Sequence, residues 1–357
     1  MAKQPSAPTP KLRDVAGRAG VSIGTASNAF NRPDAISTVL RDRVLAAARE
    51  LGYAGPDPAA RRLRTGRTGA VGLLFTAHLT FAFEDQASTL FLQGVARGLE
   101  TAETGLLIVP TGPDAERATT AVRQAAVDGF IVYSSADDDP RIGAALDRRL
   151  PIVAVDEPRD PPMPWVGIDD RGAARVAAEY VRGLGHEHVA ILAFAGTRAG
   201  GRTSYFDVTK DRFDGYREGL GDAWDPHRVC RCLPNTCTRA REVAVEALAA
   251  RPRPTAILAM SDAMAIGALQ AADDAGLAVP RQLSIVGFDG TPATLTTTPA
   301  LTTVAQPQEE KGRIAAELVT AAMRTPGRRQ RRVRRVLPTE LIVRGSSGPP
   351  PARRARS

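Results

Sequence analysis

The chain has 357 residues, of which 43% are hydrophobic and 24% are charged, and its formal net charge is +8. This length exceeds the size of one ordinary domain, and the apolar fraction excludes a wholly disordered protein. No apolar run reaches the roughly 18 residues that a membrane-spanning helix needs. The N-terminal segment MAKQPSAPTPK also lacks the apolar stretch of a signal peptide, so we expect a cytoplasmic protein.

The charges are unevenly distributed along the chain. Residues 1–67 carry a net charge of +7 and residues 324–357 a net charge of +10, whereas the region between them carries −9. A basic N-terminal region beside an acidic body predicts that the N-terminal region contacts a polyanion. Residues 1–10 are rich in Pro and Ser, and residues 346–357 combine Gly, Pro and Arg without an apolar face. We predict that both ends are disordered.

Residues 11–54 show three segments with apolar residues at helical spacing. The first runs from Leu12 and is broken by Gly20, and Ser22 stands where the N-cap of the next helix belongs. The second helix begins at Ile23, and a third follows Ser37. Two helices joined by a turn that contains glycine, with a third helix in support, are typical of a helix-turn-helix unit. Such a unit places its second helix in the major groove of DNA.

The segment LRDVAGRAGVSIGTASNAFNRPDAIS, followed by RVLAAARELGY, resembles the DNA-binding region of LacI/GalR-type bacterial transcription regulators. The resemblance implies that Ile23, Gly24 and Asn28 occupy base-reading positions. Asn28 stands where the family commonly has Arg, and Asn favours adenine whereas Arg favours guanine. We therefore expect an operator half-site that differs from the common one. The implied DNA-contacting residues of this helix are Ile23, Gly24, Thr25, Ser27, Asn28 and Asn31.

Residues 55–68 favour a short basic helix that Pro58 begins and Gly66 ends. Such a helix is too short to be stable alone, so a simple basic linker is the alternative. The family resemblance implies more: two hinge helices, one from each subunit, fold together in the minor groove. Leu63 is then the apolar wedge between two base pairs. The implied phosphate contacts of the hinge are Arg61, Arg62 and Arg64.

Beyond residue 68, apolar runs of strand length alternate with helical patterns. The predicted strands are 70–75, 106–109, 129–133, 152–155, 189–194, 256–260 and 283–288. The predicted helices lie near 87–103, 115–126, 141–149, 170–184, 238–250, 262–276 and 308–323. This alternation predicts an α/β body with parallel sheets that are covered by helices on both faces. The region is too long for one such sheet, so we predict two doubly wound lobes.

Several polar residues follow predicted strands, where the carboxyl ends of parallel strands form ligand sites. Carboxylates accept hydrogen bonds from ligand hydroxyls, and Arg212 offers a rigid fork of donors. This combination suits a polyol such as a sugar or a nucleoside, although a single acidic residue at a strand end is often only a helix cap. The residues concerned are Asp156, Asp169, Asp170, Ser261, Asp262 and Asp289.

The family resemblance continues to about Gly345, through blocks such as VGIDDRGAARVAAEYVRGLGHEHVAIL and PTAILAMSDAMAIGALQAADDAGLAVPRQLSIVGFD. It implies that residues 69–345 form a periplasmic-binding-protein-like pair of lobes that binds an effector and dimerises. Ser261 stands where the family usually has Asn, so we expect a ligand other than the familiar sugars. The loop from His78 to Gln86 is expected to face the cleft, although its Phe81 and Phe83 could instead be core residues. The implied effector contacts are Asp156, Arg212, Asp289, Gln306, Asp262 and Phe83, with Glu84 and Asp85 as further candidates.

The resulting hypothesis is a DNA-binding transcription regulator, a homodimeric repressor that a small sugar-like effector releases from a palindromic operator. The main alternative is an α/β enzyme that acts on a sugar or nucleoside, but no phosphate-binding loop, Gly-x-Gly-x-x-Gly or Gly-x-Ser-x-Gly motif is present. A sugar-binding protein for uptake is a third reading, which the missing signal peptide opposes. Cys230, Cys232 and Cys237 lack a fourth ligand for zinc, so we expect free thiols and no metal or cofactor.

Overall fold

The computed structural model describes residues 10–55, 66–75, 80–109, 114–136, 138–159, 161–194, 196–197, 203–204, 207–325 and 330–352. The chain divides into two compact units, Met1–Thr68 and Gly69–Ser357. The predicted hinge contacts Arg61, Arg62, Arg64 and Leu63 lie outside the described residues, as does nearly all of the segment 1–10. These predictions stay predictions.

The first unit is built from three helices, α1 (Leu12–Ala19), α2 (Ile23–Asn31) and α3 (Thr38–Leu51). Gly20 ends α1 because its positive φ of 63° lets its N–H turn back to the carbonyls of Ala16 and Gly17. Ser22 caps α2, since its hydroxyl accepts a hydrogen bond of 3.0 Å from the N–H of Thr25. These elements confirm the predicted helix-turn-helix. Its core consists of Val15, Ala16, Ala19, Ala26, Ala29, Val44, Ala47 and Ala48.

The second unit alternates strands and helices. Its strands are β1 (Ala70–Phe75), β2 (Gly105–Val109), β3 (Gly129–Tyr133), β4 (Ile152–Val155), β5 (Trp165–Ile168), β6 (Val189–Ala193), β7 (Gly196–Thr197), β8 (Thr203–Ser204), β9 (Val229–Arg231), β10 (Ala256–Ala259), β11 (Ser284–Asp289), β12 (Thr302–Ala305), β13 (Arg334–Leu337) and β14 (Glu340–Ile342). Its helices are α4 (Phe81–Glu84), α5 (Gln86–Thr101), α6 (Ala115–Gln124), α7 (Pro140–Asp147), α8 (Asp170–Gly183), α9 (Asp207–Leu220), α10 (Cys237–Ala249), α11 (Asp262–Asp274) and α12 (Gln308–Met323).

These elements form two lobes, each around a six-stranded sheet. The strand order is β13-β5-β4-β3-β1-β2 in the first lobe and β14-β12-β11-β10-β6-β9 in the second, and β14 runs antiparallel to β12 while the other neighbours are parallel. In the first lobe, Leu73 packs with Phe91 of α5 on one face of the sheet, while Leu74 packs with Val122 of α6 on the other. This confirms the predicted pair of doubly wound lobes.

Some elements escaped the sequence prediction because their patterns are not apolar. The strand β12 begins with two buried threonines, Thr302 and Thr303, which the search for apolar runs passed over. The strand β13 is rich in arginine, and its Arg334 guanidinium stacks on the ring of Trp165 at 3.8 Å. Half of the residues of the helix α9 are charged, and this segment was not predicted as a helix.

The chain crosses between the lobes three times, after β5, after β12 and after β13. The helix α12 follows β12 of the second lobe but packs on α5 and against β3 and β4 of the first lobe. The crossovers therefore bring side chains near Asp170, Gln306 and Lys311 to the place where the carboxyl ends of both sheets meet.

The predicted disorder from Ser346 onward is wrong for residues 346–348. Ser346 is buried, and its hydroxyl donates to the carbonyl of Ile285 at 2.6 Å and accepts from the N–H of Thr302 at 2.8 Å. The carbonyl of Gly348 accepts from the hydroxyl of Ser284 at 2.8 Å. Hydrogen bonds to the second sheet hold this segment where apolar contacts are missing, so a search for an apolar face could not detect it.

Candidate functional site

The exposed face of α2 carries the residues that were predicted to contact DNA. Ala26 and Ala29 point into the core, and Ile23 is 57% exposed. Gly24 is also exposed, while Thr25, Ser27, Asn28 and Asn31 are partly exposed. Small residues on the inner face of α2 allow close packing on α1 and α3, which leaves the outer face available to a ligand.

Hydrogen bonds within α2 divide its polar residues into two groups. The hydroxyls of Ser22 and Thr25 lie 2.9 Å apart, and the amide of Asn31 donates to the carbonyl of Ser27 at 3.0 Å. Within the described part of the chain, no hydrogen bond engages the side chain of Asn28. The partly exposed amide of Asn28 is therefore not used within the described residues, and such an amide can bond to a base edge.

In the second unit, Arg212 is buried at the carboxyl end of the second sheet. Its Nε donates to the Asp170 carboxylate at 2.8 Å, and its Nη1 donates to the carbonyl of Met260 at 2.5 Å. The guanidinium lies 3.6 Å from the ring centroid of Phe288. Burial raises the pKa of Asp170, although the charge of Arg212 opposes that rise. The position of Arg212 is thus fixed by a carboxylate, a carbonyl and an aromatic face.

A chain of hydrogen bonds connects the strand ends of the two lobes. The ammonium of Lys311 donates to Asp156 at 2.6 Å and to the carbonyl oxygen of the Gln306 side chain at 2.5 Å. The amide nitrogen of Gln306 in turn donates to Asp289 at 2.6 Å. Asp156 follows β4 of the first lobe and Asp289 ends β11 of the second. This series of hydrogen bonds therefore spans the floor of the cleft between the two lobes.

Two of these acidic residues have an unusual backbone conformation. Asp156 has a φ of 60° and Asp289 a φ of 119°, a region that side-chain-bearing residues rarely adopt. Such conformations each cost about 1–3 kcal/mol and cluster at ligand sites. Burial, followed by the nearby charge of Asp262, raises the pKa of Asp289 well above its ordinary value. Both residues are therefore held in strained positions at the edge of the cleft.

Asp262 has a mainly structural environment. Its carboxylate accepts from the N–H of Thr291 at 2.7 Å and from the hydroxyl of Thr303 at 2.5 Å, and it is buried. Burial raises its pKa to about 6. These bonds attach the loop after β11 to β12. They also hold Asp262 where its charge raises the pKa of Asp289.

The loop that was predicted to line the cleft lies partly outside the described residues, as do the side chain of Phe81 and residues 76–79. Phe83 is 62% exposed in α4, so the alternative that it is a core residue is wrong. Asp85 caps α5, because its carboxylate accepts from the N–H of Ser88 at 2.8 Å. The side chain of Gln86 accepts from the N–H of Ala293 at 3.1 Å, and this bond joins the two lobes across the cleft.

Sequence reasoning missed two residues of the cleft. Tyr133 is buried and stacked on Phe91 with 3.9 Å between ring centroids. Burial, with the charges of Asp156, Asp85 and Asp289, raises its pKa well above the ordinary value. Lys311 was missed because lysine usually marks a solvated face. Its spacing of four from Ala315 and eight from Val319, both on the buried face of α12, was the available signal.

The described residues bring together no group of three His, Cys, Asp or Glu side chains that could hold a metal ion. The three cysteines are free thiols, and burial raises the pKa of Cys232 to about 12. Among the described helices, none is long and apolar enough to cross a membrane.

Comparisons with known proteins assign the chain to a family. A model of lacI-family bacterial regulatory proteins matches residues 11–55, and a model of periplasmic binding protein-like domains matches residues 178–347. The HTH-type transcriptional regulator Rv3575c of Mycobacterium tuberculosis is 43% identical over 362 residues, which cover 96% of this chain and 99% of that protein. This chain belongs to the LacI family. The transcriptional repressor CytR of Escherichia coli is 32% identical over 364 residues, which cover 97% of this chain and 98% of CytR.

Solved structures agree with this assignment to the LacI family. A complex of the regulator CelR with cellobiose is 28% identical, covers 94% of this chain and 99% of that one, and has a TM-score of 0.69. The lac repressor dimer bound to operator and an anti-inducer shares the fold, with a TM-score of 0.77, 23% identity and coverage of 95% and 99%. The chain is therefore a LacI-family DNA-binding transcriptional regulator, and the relatives do not support the alternative of an enzyme.

Proposed function

We propose that this protein is a homodimeric repressor that leaves a palindromic operator when a small, hydroxyl-rich effector occupies the cleft. The observation that carries the proposal is the environment of Arg212, whose guanidinium is buried on Phe288 and bonded to Asp170 at the cleft. The buried guanidinium of Arg212 can donate to ligand hydroxyls, and the strained Asp289 beside it can accept from them. This environment, with its aromatic ring, suits a sugar or related polyol. CelR, a relative, binds such a ligand in its solved complex with cellobiose.

The operator side of the proposal rests on α2. Its outer face presents Ile23, Gly24 and Asn28, which form no side-chain hydrogen bond with the described residues of the unit, while Thr25 and Ser27 stand beside them. We assign the first three to base contacts and the other two to phosphates. Two such helices, related by a dimer axis, fit a two-fold operator, and CytR is a named repressor among the relatives.

The effector side rests on the crossovers between the lobes. A ligand hydroxyl that bonds to Asp156 or Asp289 joins the chain of hydrogen bonds through Gln306 and Lys311. Ligand binding then changes the angle between the lobes and shifts the equilibrium between DNA-competent and DNA-incompetent states. Two predicted contacts remain. Asp262 is bonded to Thr303 and so holds its position, and Phe83 is exposed and therefore available to a ligand. The hinge, with Leu63 as wedge and Arg61 and Arg64 at phosphates, is the proposed means by which this change reaches the DNA.

The test is a gel-shift titration of the purified protein on DNA from its own upstream region. We expect a salt-sensitive complex on an inverted repeat that is at least about 1,000-fold tighter than the complex on unrelated DNA. Addition of neutral sugars, cyclitols and nucleosides identifies the compound that releases the complex. Equal affinity for unrelated DNA contradicts the regulator, and a ligand that tightens the complex contradicts release as the direction of the response.

A further inference from the structure

Among the described residues, two cations of the cleft act on its buried carboxylates. These cations are Lys311 and Arg212. The side chain of Lys311 is 1% exposed, and its ammonium is shared between Asp156 at 2.6 Å and Gln306 at 2.5 Å. A buried ammonium has three donors, and two of them are already used by the protein. Lys311 therefore neutralises Asp156 and leaves little of its charge for a ligand.

The charge of Arg212 is also paired with a carboxylate. Its side chain is 5% exposed, it pairs with Asp170 at 2.8 Å, and it also donates to the carbonyl of Met260. Its flat face is covered by Phe288 at 3.6 Å. Each cation of the cleft thus has its own carboxylate, and both pairs are desolvated.

The remaining carboxylates of the cleft form no ion pair within the part of the chain that the structure describes. Asp289 accepts from the amide of Gln306, Asp85 accepts from Ser88, and Asp262 accepts from Thr303 and the N–H of Thr291. The negative charges of Asp262 and Asp85 raise the pKa of Asp289, whereas the charge of Arg212 lowers it. Among the described residues of the cleft, carboxyl groups therefore outnumber cations: Asp85, Asp156, Asp170, Asp262 and Asp289 face only Lys311 and Arg212.

We propose that the effector site selects ligands without phosphate or carboxylate groups. Lys311 sets this selectivity because its positive charge is neutralised by Asp156 and does not attract an anionic ligand. The inference rests on the effector site proposed above and narrows its ligand class. An uncharged polyol donates hydroxyl hydrogens to the surplus carboxylates. An anionic derivative of the same polyol meets these carboxyl groups without an unpaired cation among the described residues, and a buried like-charge contact is strongly unfavourable.

The test compares matched pairs of neutral and anionic ligands on the full-length protein by titration calorimetry and by operator release. The probes are hexoses with their 6-phosphates, nucleosides with their 5′-monophosphates, cyclitols with their monophosphates, and aldoses with their aldonic acids. We expect at least one neutral member to bind, with its anionic partner about 100-fold or more weaker. An anionic member that binds as tightly as its neutral partner overturns the inference. A panel in which no member of either kind binds contradicts the proposed polyol response itself.

Variants test the masking of Lys311 by Asp156. In Asp156→Asn the ammonium loses its counterion, so the ratio of neutral to anionic affinity should fall by about 10-fold or more. The double variant Asp156→Asn with Lys311→Met has no such cation and should return the ratio toward the wild-type value. Asp274→Asn is the matched control, because Asp274 is exposed at the end of α11 and its carboxylate accepts from the guanidinium of Arg241 at 2.6 Å. A ratio that does not change in Asp156→Asn overturns the role of Lys311, whatever the stability of the variants.

Discussion

The ammonium of Lys311 lies 2.6 Å from the carboxylate of Asp156, although the two residues are 155 positions apart in the chain. Lys311 reaches this position because α12 returns from the second lobe to pack on the first. The contact joins the end of β4 to the crossover at Gln306, where both lobes meet. Lys311, a residue type that usually lies in solvent, thus forms part of the floor of the cleft between the lobes.

Removal of that ammonium should destabilise the second unit. We expect Lys311→Met to lower the free energy of unfolding by on the order of 3 kcal/mol, because it leaves a largely buried carboxylate unpaired. Both tryptophans, Trp165 and Trp224, lie in this unit, so their fluorescence during urea unfolding reports the change. The double variant with Asp156→Asn should regain most of the loss. A single variant as stable as the wild type would show that the pair contributes nothing.

Replacement of Arg212 should separate ligand sensing from DNA binding. Arg212→Lys keeps a positive charge but loses the planar fork that bonds Asp170 and stacks on Phe288. We expect the operator complex to form as before and to resist release at effector concentrations about 10-fold above those effective on the wild type. Arg217→Ala is the control, since Arg217 is exposed on the same helix and pairs only with Asp214 among the described residues. Normal release from Arg212→Lys would place the effector elsewhere.

The stability of the second unit should depend on pH through Asp262. An unperturbed aspartate titrates near 3.8, whereas burial raises the pKa of Asp262 in the folded chain to about 6. Between these values the folded state binds more protons than the unfolded state, so the contribution of this group falls as the pH rises. We expect Asp262→Asn to flatten the decline of unfolding free energy between pH 4 and pH 6, as measured by urea titrations at several pH values. Parallel curves for the two proteins would contradict the raised pKa.

Asn28 should contribute to operator specificity. Its side chain has no hydrogen-bond partner among the described residues, so Asn28→Ala removes a potential base contact with little effect on the fold. We expect affinity for the operator to fall about 10-fold or more, with affinity for unrelated DNA almost unchanged. Competition gel shifts at constant salt measure both values. An equal loss on both DNAs would indicate a phosphate contact instead.

The local sequence alone determined the helix-turn-helix and seven of the fourteen described strands. Local contacts explain the roles of Ser22, Gly20 and the alanines of α2, because their partners lie within one or two helical turns. Their sequence pattern therefore predicts this structure directly. The buried strands β1, β3 and β11 read as continuous apolar runs for a similar reason, because helices cover both of their faces.

Only the tertiary structure decided which polar residues share the cleft. Lys311 and Asp156 meet through a crossover between lobes, and Ser346 is held by the carbonyl of Ile285 from a distant strand. Local spacing cannot encode such pairings, since each side chain looks solvated until the opposite element removes its water. Burial then turns an ordinary charge or hydroxyl into an obligatory hydrogen-bonding partner, and that is a property of the packed fold.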